Sequence, residues 1–263
     1  MNTRRNIRNL GDDLVPLREA YRQMMRIRDN RGYRHLAGHH GIPDNLCIHS
    51  ERFTPVEPNA RLFLPWHRAY LYAFELALQD AGHNTELTVP WWDWTSESSR
   101  SQGIPKSFSE PTVGGQPNPF YSYHMKFSET ESPNRPLDED TQRDPEPPSD
   151  LPKPNEVDRL YSLSDYGDFS DQLEIIHNRI HIWFNGSMSE VDTAAFDPMF
   201  WSHHCMIDRI WWIWQLRQSN PTSGIPPSLM DVVLVPFSVT VRQVLNIYEL
   251  GYSYGGSSVS VEF

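Results

Sequence analysis

The 263-residue chain predicts a mainly α-helical fold with long irregular loops and little β-structure. Three observations predict it. Apolar residues recur at helical spacing over 12–30: Leu14, Leu17, Tyr21, Met24, Met25 and Ile27. Two further segments, 66–81 and 169–184, keep a helical pattern without internal proline or glycine. Residues 96–168 are instead rich in Ser, Asp, Glu and proline, with Pro133, Pro136, Pro145, Pro147, Pro148, Pro152 and Pro154 interrupting regular structure.

Each element follows from local chemistry. Pro16 suits the start of the first helix, where a missing N–H is tolerated. The helix over 66–81 is strong in Leu, Ala and aromatic residues and stops at Gly82. The stretch 96–168 reads as a long surface excursion within one domain, because the blocks flanking it each look like half of one site. Helices three and four fall at about 169–184 and 202–218. Residues 239–250 read as a short helix or strand, followed by Gly251-Tyr252-Ser253-Tyr254. The chain, 1–263, is expected to be a single domain without internal repeats.

Composition narrows the function. A formal net charge of −11 argues against nucleic-acid and anionic-membrane partners. Hydrophobic content of 38% with 9 tryptophans fits a globule with an aromatic core. No run approaches the roughly 18 apolar residues of a membrane span. Arg4 and Arg5 are followed by no apolar stretch, so no export signal is expected. Cys47 and Cys205 cannot build a disulfide framework. The expected location is the cytoplasm, or outside it after export with a signal-bearing partner.

The chemistry lies in the histidines. His177 and His181 stand one helical turn apart, so both imidazoles can grip one metal ion. A histidine from a neighbouring helix would complete the set. Neutral imidazole suits copper, zinc, iron and nickel alike. The first block holds His35, His39, His40, His49 and His67. Any one of these alone is more often a hydrogen-bonded core residue than a ligand. Two triplets point instead to a binuclear site.

The motifs carry a family resemblance. His40-Gly41-Ile42-Pro43, Cys47-x-His49, Phe63-Leu64-Pro65-Trp66-His67-Arg68-x-Tyr70 and Phe74-Glu75 resemble the first copper motif of the tyrosinase, catechol oxidase and molluscan hemocyanin superfamily. Pro90-Trp91-Trp92-Asp93-Trp94-Thr95 is similar to the aromatic stretch that follows it there. His177-Asn178-x-x-His181 and Asp197-Pro198-x-Phe200-Trp201-x-His203-His204-x-x-x-Asp208-Arg209-x-Trp211 resemble the second motif, and Pro236-Phe237 with Tyr252-x-Tyr254 resemble the close of the catalytic core.

The resemblance implies a four-helix-bundle core holding a type 3 site of two copper ions. The first copper falls to His40, His49 and His67, and the second to His177, His181 and His204. His35, His39 and His203 are then supporting residues. The family usually separates the second and third ligands of the first set by about half of the interval seen here, and the usual spacing would fall on Pro58, which cannot serve as a ligand. The Cys47-x-His49 pattern recovers His49 and implies a thioether between the cysteine and that ring. Asp208 is expected to orient a histidine by hydrogen bonding, and Cys205 to be packing beside the site.

The implied activity is a phenol oxidase that uses dioxygen as co-substrate to turn o-diphenols into o-quinones and also hydroxylates monophenols. An o-aminophenol oxidase and a hemocyanin-like oxygen carrier are the alternatives. Asn178 and Glu174 are the expected holders of a proton-accepting water, with Asp168 and Asp171 as other carboxylates. Val191 occupies the position of a gate over the copper pair. No plug domain is expected after the core, so the expected partners are a small phenolic substrate and a separate protein that delivers copper or covers the site.

Overall fold

A computed structural model describes residues 1–49, 61–132, 135–218 and 225–255. Pro58 and Pro133 lie outside these. The helices are α1 (Leu14–Met24), α2 (Tyr33–Gly38), α3 (Phe63–Ala81), α4 (Glu97–Gln102), α5 (Lys106–Ser109), α6 (Pro154–Leu160), α7 (Tyr166–Phe184), α8 (Met199–Arg217) and α9 (Val241–Val244). The sheet structure among the described residues consists of two-stranded pairs. β1 (Asn2–Arg4) runs parallel to β8 (Tyr252–Tyr254), while β2 (Thr112–Val113) with β3 (Gln116–Pro117), β4 (His124–Phe127) with β5 (Leu137–Asp140), and β6 (Val233–Leu234) with β7 (Val239–Thr240) are antiparallel. The mainly helical expectation holds. No described helix is long and apolar enough to cross a membrane.

The long helices α1, α3, α7 and α8 form the core, with α3 in contact with each of the others. Helix α1 buries Leu17, Ala20, Tyr21 and Met24, one stripe at helical spacing. It ends six residues before the predicted boundary. Asp29 Oδ1 accepts the Arg31 N–H and closes a turn that competes with helix there. Helix α3 begins one turn early, at Phe63. Pro65 sits in its first turn, where its missing N–H has no partner to lose. Helix α7 starts at Tyr166 because the Asp165 side chain accepts the Asp168 N–H. Helix α8 is buried nearly all round, as expected of a helix at the centre of a domain. Phe74 stacks on Trp201 between α3 and α8, ring centroids 3.5 Å apart.

The 96–168 stretch is more ordered than its composition predicts. Phe108, Phe120, Tyr123, Met125 and Phe127 are buried. Arg143 crosses from it to Asp197, ahead of α8, in a bidentate ion pair of 2.6 and 2.7 Å. The 239–250 stretch resolves into β7 followed by α9.

A charged network is buried where the chain ends meet the core. Asp208 on α8 accepts from Arg68 Nε on α3, from Arg4 Nη1 on β1 at 3.2 Å, and from the hydroxyls of Tyr252 and Tyr254 on β8. Arg68 also donates to Gln215 Oε1 at 3.0 Å and to the Leu245 carbonyl at 3.0 Å. Arg4 pairs with Glu75 at 2.9 Å. Burial opposes the Asp208 charge, but the Arg68 and Arg4 guanidiniums outweigh it and hold the carboxyl below its ordinary value. Asp208→Ala strips this shared anion from two buried guanidiniums. The expected loss is about 3–5 kcal/mol, read by urea unfolding of the metal-free protein; a loss near zero would show the network to be idle.

Candidate metal centre

Six predicted ligands converge on one buried region. His67 projects from α3, His177 and His181 from one face of α7, and His204 from α8. His40 follows α2, and His49 lies in the loop beyond it. Their exposures run from 1% for His40 and His177 to 9% for His181. The rings of His67 and His204 stack at 4.6 Å, so the two triplets adjoin.

What aims five of the six rings is the partner of Nδ1; Nδ1 of His204 is buried without one. His67 Nδ1 faces the Phe63 carbonyl at 2.8 Å, His181 Nδ1 the Met188 carbonyl at 2.7 Å, and His40 Nδ1 the Val191 carbonyl at 3.1 Å. His177 Nδ1 faces Asn178 Oδ1 at 2.9 Å, and His49 Nδ1 faces Glu174 Oε1 at 3.3 Å. Each partner is an acceptor, so Nδ1 carries the hydrogen and Nε2 is left with its lone pair. That arrangement is the usual second contact of a metal-binding histidine.

The free nitrogens fit two metal ions. In the first triplet, Nε2 of His40, His49 and His67 is buried without a hydrogen-bond partner. A buried acceptor left unpaired is unfavourable, and a bound cation satisfies it. In the second triplet the Nε2 atoms of His177, His181 and His204 lie 3.0, 3.2 and 3.4 Å from one another. Imidazoles sharing an ion at roughly 2 Å each would stand about this far apart. Burial pushes His40, His67, His177 and His204 well below the ordinary histidine value, and His181 to about 4. The rings are therefore neutral, as ligands must be.

The other histidines take different places. His39 pairs with Asp44 at 2.7 Å. His35 is exposed and touches His39 edge-on. His203 is fully buried and packs on the rings of His177 and His181, bringing a fourth ring nitrogen to that group. Cys47 is buried and outside any disulfide, its sulfur within 4.8 Å of ring nitrogens of His40 and His49. Cys205 donates to the Val89 carbonyl, consistent with packing.

One expectation is corrected. Asp208 touches no histidine: its described partners are Arg4, Arg68, Tyr252 and Tyr254. It binds instead Arg68, the residue after His67, from a position one turn beyond His204. Glu174 is 2% exposed and lies against His49, not on a solvated surface. Asp168 and Asp171 are exposed.

A cavity of about 250 Å3 opens over both triplets, lined by His40, His49, His177, Asn178, His181 and Val191, with Ile182, Met188, Ser189 and Ala194 completing its wall. Val191, the predicted gate, does line it. Sequence reasoning missed the loop after α7, whose Met188 and Val191 carbonyls orient one ligand in each triplet. A backbone carbonyl carries no residue signature, so no motif marks it. The one trace is Gly41: a Cβ there would sit 2.3 Å from the Asp192 carbonyl oxygen, so only glycine lets this loop close over His40.

Residues 30–217 match the family described as the common central domain of tyrosinase. Hemocyanin 1 of Megathura crenulata is 33% identical over 255 residues, covering 89% of this chain and 7% of the relative. Tyrosinase HcTyr1 of Hahella sp. (strain CCB-MM4) is 27% identical over 302 residues, covering 97% and 63%. The chain thus spans less than two thirds of either relative. Among solved structures, a functional unit of octopus hemocyanin superposes with a TM-score of 0.78 at 26% identity, covering 97% of this chain and 68% of that one. The tyrosinase of Burkholderia thailandensis superposes with a TM-score of 0.82 at 23% identity, covering 98% and 74%. The chain belongs to the tyrosinase family. That fold carries a binuclear copper site, and the two triplets are the residues that fit it.

Copper loading is therefore expected to reach about two ions per chain by elemental analysis, and His67→Ala to retain about one. Glu174→Gln, which removes the anionic partner of His49, should weaken the first site about 10- to 100-fold in a chelator competition. The metal-free protein has its own pH signature. The folded-state values of His40, His67, His177, His181 and His204 lie below the unfolded value of about 6.5, so the unfolded chain takes up protons first as pH falls. Thermal stability should decline as pH falls from about 6.5 through the folded value of His181, about 4; a flat profile would contradict the burial of neutral rings.

Proposed function

We propose that this domain is a phenol oxidase that turns o-diphenols into o-quinones and hydroxylates monophenols. The observation that supports the reading is the cavity, which gives a ring direct access to both triplets. Two o-diphenols each give up two electrons and two protons, and one O2 leaves as two waters. Bound copper would supply the one-electron steps between Cu(I) and Cu(II). The protein supplies orientation, access and proton handling.

In this reading the Nδ1 contacts hold each imidazole in one tautomer and one direction throughout turnover. Asn178 lines the cavity with Glu174 one turn before it on the same face of α7. A water held between that amide and that carboxylate would take the phenol proton. Val191 has a small side chain at the cavity wall and leaves the approach open. A thioether between Cys47 and His49 would fix the orientation of that ring further; intact-mass analysis of the copper-loaded chain would show it as a loss of two hydrogen atoms.

Oxygen carriage is the second reading, favoured by the 33% identity to a hemocyanin. The two separate on a substrate panel of monophenols, o-diphenols and o-aminophenols with copper-loaded protein. Quinone formation from catechols is the expected result. A reversible, O2-dependent absorption band with no turnover of any substrate would remove the oxidase reading in favour of the carrier. Asn178→Ala should lower kcat/KM for monophenols by about 100-fold, the scale of a positioned general base, and for diphenols by much less. Equal losses on both would remove the proton-handling role.

A further inference from the structure

The cavity's wall says which phenols it takes. Among the described residues, none of those lining it is Lys, Arg, Asp or Glu. The charged residues that flank the lining in sequence are engaged elsewhere. Glu190 and Asp192 both pair with Arg135, and Arg179 pairs with Glu156. No charged side chain among the described lining residues is therefore there to pair with the carboxylate or ammonium of an incoming substrate. A charged group taken from water without a partner is strongly disfavoured.

What the wall does offer is apolar. Met188 and Ala194 are buried beside the histidines, while Ile182 stands at the rim, 66% exposed. Met188 brings a thioether, a favourable neighbour for an aromatic ring. Ile175, 52% exposed, lies two turns back on the same face of α7, with Asn178 between them. Asn178 and Arg179 lie between the two isoleucines, so the apolar surface at the cavity mouth is that of Ile182. The size also selects. A cavity of roughly 150 Å3 holds one benzene ring. About 250 Å3 holds one ring with a short substituent.

We infer that the site selects single-ring, uncharged phenols and catechols whose apolar substituent points out past Ile182, and disfavours those bearing a carboxylate or amino-acid group. The inference rests on the phenol-oxidase reading for its choice of ring. The hydroxyls face the six Nε2 atoms, the ring passes between Met188 and Val191, and the substituent leaves the cavity at Ile182 and Ser189.

The test compares 4-tert-butylcatechol, catechol and 3,4-dihydroxyphenylacetate on the copper-loaded chain. It measures kcat/KM in air and binding by anaerobic calorimetry, where no turnover occurs. Both readouts should favour the tert-butyl compound over the acid by at least about tenfold, the scale at which apolar pockets discriminate. Ser189→Arg places a guanidinium at the rim and should narrow the ratio about tenfold, by pairing with the carboxylate. The acid binding as tightly as 4-tert-butylcatechol would overturn the inference, whatever the turnover. Ordered binding with no turnover would support the selectivity and remove the oxidase reading instead. Turnover with the order inverted would remove the selectivity alone.

Discussion

One buried ion pair joins the two helices that each bring a ligand to a different set. Arg68 follows His67 in α3, and Asp208 lies one turn beyond His204 in α8. Their contact ties together the two helices that face each other across the site, so the stacked rings of His67 and His204 inherit its geometry. A charged pair in a core this apolar carries a desolvation cost that further hydrogen bonds offset. Here Tyr252, Tyr254, Gln215 and the Val244 and Leu245 carbonyls supply them, while Nη2 of Arg68 and of Arg4 is buried without a hydrogen-bond partner. The chain ends are thereby recruited to the same point: β1 brings Arg4, and β8 brings both tyrosines.

A second constraint acts on the rings themselves. Imidazole has two nitrogens, and a metal ligand must present the right one. Five of the six predicted ligands have Nδ1 committed to an oxygen acceptor, which leaves Nε2 for the centre. Three of these acceptors are backbone carbonyls, whose position depends on fold alone. The loop carrying Met188 and Val191 reaches one ring in each set, so a shift in that loop would disturb both sites together. The unpaired Nε2 atoms of the first set and the neutral, buried rings are two aspects of one arrangement, which suits a bound cation.

Much of this was legible in the residues. The i, i+4 spacing of His177 and His181 survives as one face of α7, and α3 ends at Ala81 before Gly82, although His83 and not the glycine takes the left-handed conformation there. Helix starts were less legible, because Pro65 and Asp165 act in the first turn and extend α3 and α7 backward from their periodic cores. Asp208 shows a sharper limit. Its place one turn after a ligand suggested a hydrogen bond to a histidine, but its partner is an arginine 140 positions away in sequence. Local spacing says which face a side chain shares, and is silent about what crosses from another helix. The 96–168 stretch failed in the opposite sense: proline and charge concealed aromatic residues that pack into the core.

By itself the sequence determined the helical class, the identity of the candidate ligands and the family. Those depend on residue type and short spacing, which the chain carries in its order. Only the tertiary structure decided how the rings point, what Asp208 holds and what a substrate meets at the cavity wall. Ring orientation is set by carbonyls that any residue could supply, and the wall is assembled from α7, the loop after it and the two loop histidines. Contacts between elements distant in sequence leave no periodic trace, so they become visible only once the chain has folded.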